Sequence, residues 1–236
     1  MAQRPAAVAF DVIETLMSLE PLRERLPSPD LLEAWFTRTL RDGMALSASG
    51  GYADFPDVAA AALRAVTGYT ITDPQTAHVM AGFADLPAFP DALPAVQQLH
   101  VAGVRVICLT NGTANSTGAF LDRSGLRRYI ERVISVAEVG RWKPATIVYR
   151  YAAEVLDVAP HQMALAAAHD WDCHGAKAAG LTTGWVDRQK GGYNPLFLPP
   201  DVTGADLAQV ADGLKNPAGS RGDDPPHSPR TSSARR

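Results

Sequence analysis

The chain has 236 residues, of which 46% are hydrophobic and 20% are charged, so it is long enough to bury one large core and a smaller attached unit. Its net charge of −3 provides no excess of basic residues, which argues against nucleic acid or an anionic membrane as a partner. Its two cysteines, Cys108 and Cys173, are too few for a disulfide framework and indicate a reducing compartment. We expect a cytoplasmic protein, since we find neither a signal-peptide pattern nor an apolar run that could span a bilayer.

The first predicted element is a short, buried, apolar strand within the stretch Ala7–Leu16. It ends in the carboxylate of Asp11 and the hydroxyl of Thr15. In an open α/β sheet, ligands bind beyond the carboxyl ends of the strands, so Asp11 is the candidate nucleophile. On this stretch alone, an equally good interpretation is that Asp11 caps the following turn.

Residues 17–89 have the apolar spacing of helices. Apolar side chains recur three and four residues apart, as at Leu32, Trp35, Phe36 and Leu40, and Gly or Pro residues separate the helical runs. This pattern predicts a small all-helical insert between the first and second strands. An insert at that place would lie over the strand ends and exclude water as a lid.

Alternating helices and strands resume after the insert. The predicted second strand covers residues 104–109 and ends in a hydroxyl and an amide, those of Thr110 and Asn111. The third predicted strand, residues 129–136, leads into a loop that contains Lys143. These residues add polar groups to the same end of the sheet.

Lys143 is predicted to begin a helix, because Pro144 suits the first helical turn. The apolar residues Ile147, Tyr151 and Val155 then repeat every four positions, which supports a helix over this segment.

The fourth predicted strand, residues 163–168, ends in a polar run that includes His169, Asp170 and Asp172. Residues 183–186 form the predicted last strand of the core. The candidate polar groups all fall at one end of a parallel sheet, which is what an active-site crevice requires. The sequence therefore predicts an α/β fold whose core is a doubly wound, Rossmann-like parallel sheet.

The composition divides the chain into three parts. Residues 1–16 and 90–215 are predicted to form the α/β core, and residues 17–89 the helical cap inserted after the first strand. Residues 216–236 are rich in Pro, Gly, Ser and Arg without apolar periodicity, and we expect a disordered tail there.

Four short motifs then identify a family resemblance. They are Phe10-Asp11-Val12-Ile13-Glu14-Thr15-Leu16, Thr110-Asn111-Gly112, Lys143-Pro144 and Trp171-Asp172. Their order and spacing resemble those of the haloacid dehalogenase superfamily. Within it the chain most resembles the type II 2-haloacid dehalogenases, in which a helical cap follows the first motif, and the similarity covers roughly residues 6–190.

The resemblance implies a hydrolase that converts a short 2-haloacid to a 2-hydroxy acid and halide through a covalent aspartyl ester. It implies Asp11 as the nucleophile, supported by Thr15, Lys143 and Asp172. Lys143 would keep Asp11 ionised, and Asp172 would position Lys143 or activate the hydrolytic water. We expect no metal and no cofactor, a small acid as substrate, and a homodimer.

Further residues are candidates for substrate binding. They are Thr110, Asn111, Tyr149, Arg38, Phe36, Trp35 and His169. Thr110 and Asn111 can donate hydrogen bonds to the substrate carboxylate or to Asp11. For Tyr149 a place in the core is an equal alternative, and His169 also fits a local hydrogen-bonding residue. Periodicity does not distinguish aromatic residues that line the pocket from those that fill the core of the cap.

Two departures from the superfamily patterns keep other functions open. Ile13 stands where the phosphatases carry a second aspartate, which protonates the leaving alcohol and helps to hold magnesium. Phosphate ester hydrolysis is therefore the alternative activity. Phe36 stands where the dehalogenases carry an arginine for the substrate carboxylate or the halide, and Arg38 or Arg41 would have to replace it. A catalytically silent relative that binds a small acid or a partner is the second alternative.

Position 169 departs as well. Ala167 and His169 stand where the family has serine and asparagine. The resemblance therefore supports the hydrolase scaffold more strongly than it supports the halide substrate.

Overall fold

A computed structural model describes residues 4–188 and 191–216. Within these ranges the strands are β1 (Ala7–Phe10), β2 (Arg105–Thr110), β3 (Arg132–Ser135), β4 (Met163–Ala167), β5 (Thr182–Val186) and β6 (Val202–Gly204). The α-helices are α1 (Leu31–Ala48), α2 (Phe55–Val66), α3 (Asp73–Ala81), α4 (Ala92–Val101), α5 (Ala114–Arg123), α6 (Thr146–Val155), α7 (Asp170–Ala178) and α8 (Leu207–Lys215). Of the tail predicted at 216–236, residues 217–236 lie outside the described part of the chain.

The six strands form one parallel sheet in the order β3-β2-β1-β4-β5-β6. The central strand β1 is buried along its whole length and pairs with β2 on one side and β4 on the other. The chain thus winds outward in both directions from β1, which makes its carboxyl end the switch point where α/β sheets bind ligands. This topology confirms the predicted fold class.

Helices cover the sheet and join its two halves. Helix α4 packs against α8 and β2, while α7 packs against β4 and β5. Gly103 follows α4 with a φ of +74°, and its N–H donates to the carbonyl of His100. Glycine adopts this left-handed conformation without steric cost, so Gly103 can end the helix here.

Of the four α-helices between β1 and β2, three (α1, α2 and α3) fall within the predicted insert. Helices α1 and α2 pack along each other, and the indole nitrogen of Trp35 donates to the carbonyl of Ala59 at 2.7 Å. Phe83 meets the rings of both Trp35 and Phe55 edge-on. These contacts hold the helices of the predicted insert together, and their buried side chains are continuous with the apolar core of the sheet.

The prediction that Lys143 begins a helix is wrong. Helix α6 begins at Thr146, and Lys143 lies in the preceding loop, where a cis peptide bond joins it to Pro144. The apolar repeat was also misleading, because Ile147 is exposed and the buried face of α6 is formed instead by Val148, Tyr149, Ala152 and Ala153.

Residues 183–186 are not the last strand. The chain continues into β6 and α8, and α8 packs on β5 so closely that a β-carbon at Gly184 would lie 2.5 Å from Val210. A three-residue strand is too short to show a period of two, so the sequence pattern carried no signal for it. Among the described residues, no helix is both long enough and apolar enough to cross a membrane.

Candidate active site

Asp11 lies directly beyond the central strand. Its backbone N–H donates to the carbonyl of Ala166 in β4 at 3.0 Å, so the ladder of the sheet still holds its main chain. The residue is almost fully buried, at 5% exposure. A carboxylate on so rigid a support keeps its orientation during a reaction.

A tight turn brings Thr15 back onto Asp11. The carbonyl of Val12 accepts hydrogen bonds from the N–H groups of Thr15, Leu16 and Met17. The Thr15 hydroxyl then donates to Asp11 Oδ2 at 2.7 Å and accepts from the N–H of Ala168 at 2.9 Å. Thr15 therefore connects the ends of β1 and β4.

Lys143 is fully buried and lies between two carboxylates. Its Nζ is 2.8 Å from Asp11 Oδ1 and 2.6 Å from Asp172 Oδ2. Burial alone would raise the pKa of Asp11, but the positive charge of Lys143, with a contribution from His169, lowers it below its usual range. Burial likewise opposes the charge on Lys143, yet the two carboxylates raise its pKa. Asp11 and Lys143 are thus both charged at neutral pH.

Asp172 is held from two sides. Tyr149 donates its hydroxyl to Asp172 Oδ1 at 2.6 Å, while Oδ2 faces Lys143. Burial raises the pKa of Asp172, and the charge of Asp11 adds to this shift against the opposing effect of Lys143. Because both oxygens are occupied by Tyr149 and Lys143, Asp172 is well placed to position Lys143.

Asn111 and Thr110 shape the loop after β2. The amide oxygen of Asn111 accepts from the backbone N–H of Lys143 at 3.0 Å, which leaves its amide nitrogen free to donate elsewhere. The Thr110 hydroxyl accepts from the N–H of Gly112 at 2.9 Å. Of the two predicted binding residues, Asn111 reaches the cavity beside Asp11, whereas Thr110 builds the turn that carries it.

His169 forms the opposite wall of the site. Its ring stacks on Trp171 with centroids 5.2 Å apart and packs against Phe36 at 5.8 Å. Its Nδ1 lies 3.5 Å from Asp11 Oδ2, and its Nε2 lies 3.5 Å from Glu14 Oε2. Burial opposes the charge on His169, but Asp11 and Glu14 raise its pKa to about 9.

The structure adds Glu14 to the candidate site residues that the sequence predicted. Glu14 has a φ of +62°, a left-handed conformation that is rare for a residue with a β-carbon. That conformation turns its carboxylate towards His169. No sequence signal marks a left-handed glutamate, so this pairing was missed.

The cavity beside Asp11 is small and mostly apolar. Its volume is about 10 Å³, roughly the minimum that holds one water molecule. It is lined by Asp11, Ile13, Phe36, Leu40, Phe55, Asn111, His169 and Trp171. A second cavity of about 470 Å³ adjoins it and shares Phe36, Leu40, His169 and Trp171 as walls. The shared walls make the larger cavity the natural approach to Asp11.

Trp35 has a different place from the one predicted. Its indole is buried and bonded to the carbonyl of Ala59, so it fills the interior of the helical insert. Phe36, the next residue along α1, faces the cavity instead. Adjacent residues of a helix point about 100° apart, which explains why one faces the site and the other does not.

Arg38 also lies away from the site. Its guanidinium pairs with Asp42 at 2.9 Å. Arg38 is not one of the described residues that line either cavity. Arg41 lines the larger cavity, where it too pairs with Asp42, at 2.7 Å. Of the two arginines that the sequence suggested, Arg41 is therefore the one that faces the larger cavity leading to Asp11.

Comparison with known proteins identifies the family. The family model for haloacid dehalogenase-like hydrolases matches residues 5–180. (S)-2-haloacid dehalogenase 4A of Burkholderia cepacia is 29% identical over 202 residues, covering 82% of this chain and 87% of that protein. Haloacetate dehalogenase H-2 of Moraxella sp. (strain B) is 25% identical over 206 residues, covering 84% and 92%. The solved L-2-haloacid dehalogenase RSc1362 superposes with a TM-score of 0.83 at 26% identity, covering 90% and 99%. Because the family model spans more than half of its length, this chain belongs to the haloacid dehalogenase-like hydrolases.

Proposed function

We propose that this hydrolase cleaves the carbon–halogen bond of short 2-haloacids, with Asp11 as its nucleophile and without a metal. The observation that carries the proposal is the buried Asp11 carboxylate, which Lys143 keeps ionised beside a small apolar cavity. A carboxylate in dry surroundings is poorly solvated and attacks saturated carbon readily. The substrate class follows the names of the related dehalogenases.

In the first step an oxygen of Asp11 attacks C2 of the acid from the side opposite the halogen. The new bond joins that oxygen to C2, and the halide leaves with the electron pair of the broken bond. The product of this step is a neutral ester of Asp11. Lys143 and Thr15 hold the carboxylate in the orientation that this attack requires.

In the second step water hydrolyses the ester. The water oxygen adds to the side-chain carboxyl carbon of Asp11, and the bond from that carbon to the substrate oxygen breaks. The hydroxy acid leaves with one hydrogen of the water, the other is released as a proton, and Asp11 returns to its ionised form. Lys143 remains beside the carboxyl oxygen on which negative charge develops.

Helices of the insert close the cavity from above. Phe36 and Leu40 of α1, with Phe55 of α2, form its apolar roof. We propose that residues 17–89 are a cap that excludes water during the first step and that residues 1–16 and 90–215 form the core beneath it.

Phosphate ester hydrolysis is less well supported than dehalogenation. Ile13 lines the cavity with a side chain that cannot donate a proton. The neighbouring Glu14 lies beside His169, so it does not take the place of an acid at position 13.

The location and assembly of the protein stay predictions. Cys108 and Cys173 are buried free thiols, and burial raises the pKa of Cys108 to about 12. The inference of a reducing compartment such as the cytoplasm rests on the small number of cysteines alone. The homodimer can be checked by sedimentation of the purified chain.

The proposal is tested by halide release from each enantiomer of 2-chloropropionate and 2-bromopropionate, with a chelator present. We expect release from the wild-type chain and a loss of at least about a thousandfold in Asp11→Asn. A single turnover in ¹⁸O-labelled water should place the label in Asp11 and not in the hydroxy acid. A folded wild-type chain that releases no halide from any of these acids would contradict the proposal, and magnesium-dependent release of phosphate from an aryl ester would favour the alternative.

A further inference from the structure

We propose that His169 is the anion-binding residue of this site and that it binds the carboxylate of a short 2-substituted acid while Asp11 reacts at C2. The inference rests on the proposed function for its reaction, but its central claim concerns binding of the acid. Binding and turnover can be measured separately.

The geometry leaves both nitrogens of His169 available. Each lies 3.5 Å from a carboxylate oxygen, one of Asp11 and one of Glu14, which is well beyond the usual N–H···O distance of about 2.9 Å. Within the described residues neither nitrogen has a hydrogen-bond partner, although both are buried. Stacking on Trp171 and packing against Phe36 fix the ring plane. A buried imidazole in a cavity wall without a hydrogen bond to the protein is open to a partner from the cavity, either water or a ligand.

The other cations near the site already have partners. The ammonium group of Lys143 bridges Asp11 and Asp172, and the guanidinium of Arg41 in the larger cavity pairs with Asp42. Phe36, which packs against His169 and also lines the inner cavity, carries no hydrogen-bond donor.

The charged groups around the site favour a cation at position 169 when an acid binds. Three carboxyl groups, those of Asp11, Glu14 and Asp172, lie around one ammonium group, that of Lys143. Asp170 and Asp187 add carboxylates to the wall of the larger cavity, where Arg41 is the opposing charge. A neutral His169 would leave an incoming carboxylate facing a strongly negative site, whereas an imidazolium compensates for one of these charges.

The distances suit simultaneous contact. A C2 atom that touches Asp11 carries its carboxyl carbon one bond away, at about 1.5 Å. His169 Nδ1 is 3.5 Å from Asp11 Oδ2, and His169 also lines the larger cavity of about 470 Å³. An acid that enters from the larger cavity therefore brings its carboxylate within reach of the imidazolium. Asn111 lines the inner cavity, and because its amide oxygen accepts from Lys143, its amide nitrogen is available as a second donor.

Calorimetric titration with L- and D-lactate tests the binding directly, because lactate has the carboxylate and no leaving group. We expect His169→Asn to weaken lactate binding at pH 7 by about 10- to 100-fold, the loss typical of a charge-assisted hydrogen bond. The matched control is His161→Asn, the same substitution at an exposed position, which should bind lactate like the wild type.

A pH series on the unaltered protein gives a second measurement that does not depend on a variant folding. Lactate affinity should fall as the pH rises from 7 to 10, because His169, whose pKa is raised to about 9, loses its charge in that interval. Lys143 keeps its charge there, since its pKa is raised. Affinity should be independent of pH over this range in His169→Asn.

The outcomes separate the two proposals. Halide release by the wild type with an unchanged KM in folded His169→Asn, or equal lactate affinity in that variant, overturns the role of His169 and leaves the dehalogenase intact. Lactate binding that depends on His169 without any halide release overturns the dehalogenase and supports the acid-binding site. A wild-type chain that neither binds lactate nor releases halide overturns both.

Discussion

At the scale of single residues, the ammonium group of Lys143 keeps the two buried carboxylates of the site in place. It is fully buried with two carboxylates, and burying three charged groups is costly unless every one is hydrogen-bonded. Thr15 satisfies Asp11 and Tyr149 satisfies Asp172, so the set is complete. The loss of any one of these hydrogen bonds should therefore alter the position or the charge of Asp11.

Tyr149→Phe tests this dependence. The substitution leaves one oxygen of Asp172 buried without its hydroxyl partner, so we expect the free energy of unfolding to fall by about 1–3 kcal/mol. We also expect kcat for halide release to fall, because Asp172 then holds Lys143 less firmly. Denaturation in urea and initial rates measure the two effects.

The control for Tyr149→Phe is Tyr151→Phe on the same helix. The Tyr151 hydroxyl donates to Glu138 at the surface, so its loss should change stability by less than about 0.5 kcal/mol and leave the rate unchanged. Equal effects of the two substitutions would contradict the coupling of Tyr149 to the nucleophile.

Sequence alone identified much of this set. Asp11, Thr15, Lys143 and Asp172 stand in motifs with fixed spacing, and the structure brings the four together. The pairing of His169 with Glu14 could not be predicted, because it depends on a left-handed backbone at Glu14.

At the scale of elements, helix α1 of the insert is joined to the loop that carries Lys143. Trp142 donates its backbone N–H to the hydroxyl of Ser47 at 2.6 Å and its indole N–H to the carbonyl of Ala53 at 3.0 Å. Its ring lies against Gly43, where a β-carbon would come within 2.3 Å of the indole. The close approach of α1 to the active-site loop therefore requires a glycine at this position.

Gly43→Ala should push α1 away from Trp142. We expect the overpacking to lower the free energy of unfolding by about 1–3 kcal/mol and to lower kcat, because the loop that bears Lys143 shifts with the indole. Gly51→Ala is the matched control in the same insert, since its nearest contact would be 3.5 Å away. A Gly43→Ala protein as stable and active as the control would show that the loop does not depend on this contact.

The pattern of apolar residues predicted the helices of the insert but not their orientation. Trp35 and Phe36 are equally apolar, and only packing against α2 turns Trp35 inward and leaves Phe36 at the cavity. Likewise, the repeat Ile147, Tyr151 and Val155 indicated a helix, yet α6 buries its other face. Periodicity reports that a helix exists, whereas its rotation is set by tertiary contacts.

At the scale of the whole molecule, one ion pair joins the turn after β1 to α8, the last helix in the described part of the chain. Arg188, beyond β5, donates to both carboxylate oxygens of Asp91 and to the carbonyl of Thr15. Asp91 also accepts the N–H of Leu207, the first residue of α8, at 2.9 Å. Because α8 follows a strand that the sequence pattern did not reveal, this connection was not predictable. It ties the turn beside Asp11 to the far edge of the sheet.

Asp91→Ala should loosen both ends of this connection. Arg188 is mostly buried and would lose its charged partner, so we expect the free energy of unfolding to fall by about 2–3 kcal/mol. The turn at Thr15 would lose part of its support, so kcat for halide release should fall as well. Glu131→Ala is the control, since it breaks the exposed pair with Arg105 and should cost less than about 1 kcal/mol without a change in rate. If the two variants lost equal stability in urea and kept equal rates, the pair of Asp91 and Arg188 would be an ordinary surface contact, and the active-site turn would be held by the hydrogen bonds of Val12 and Thr15 alone.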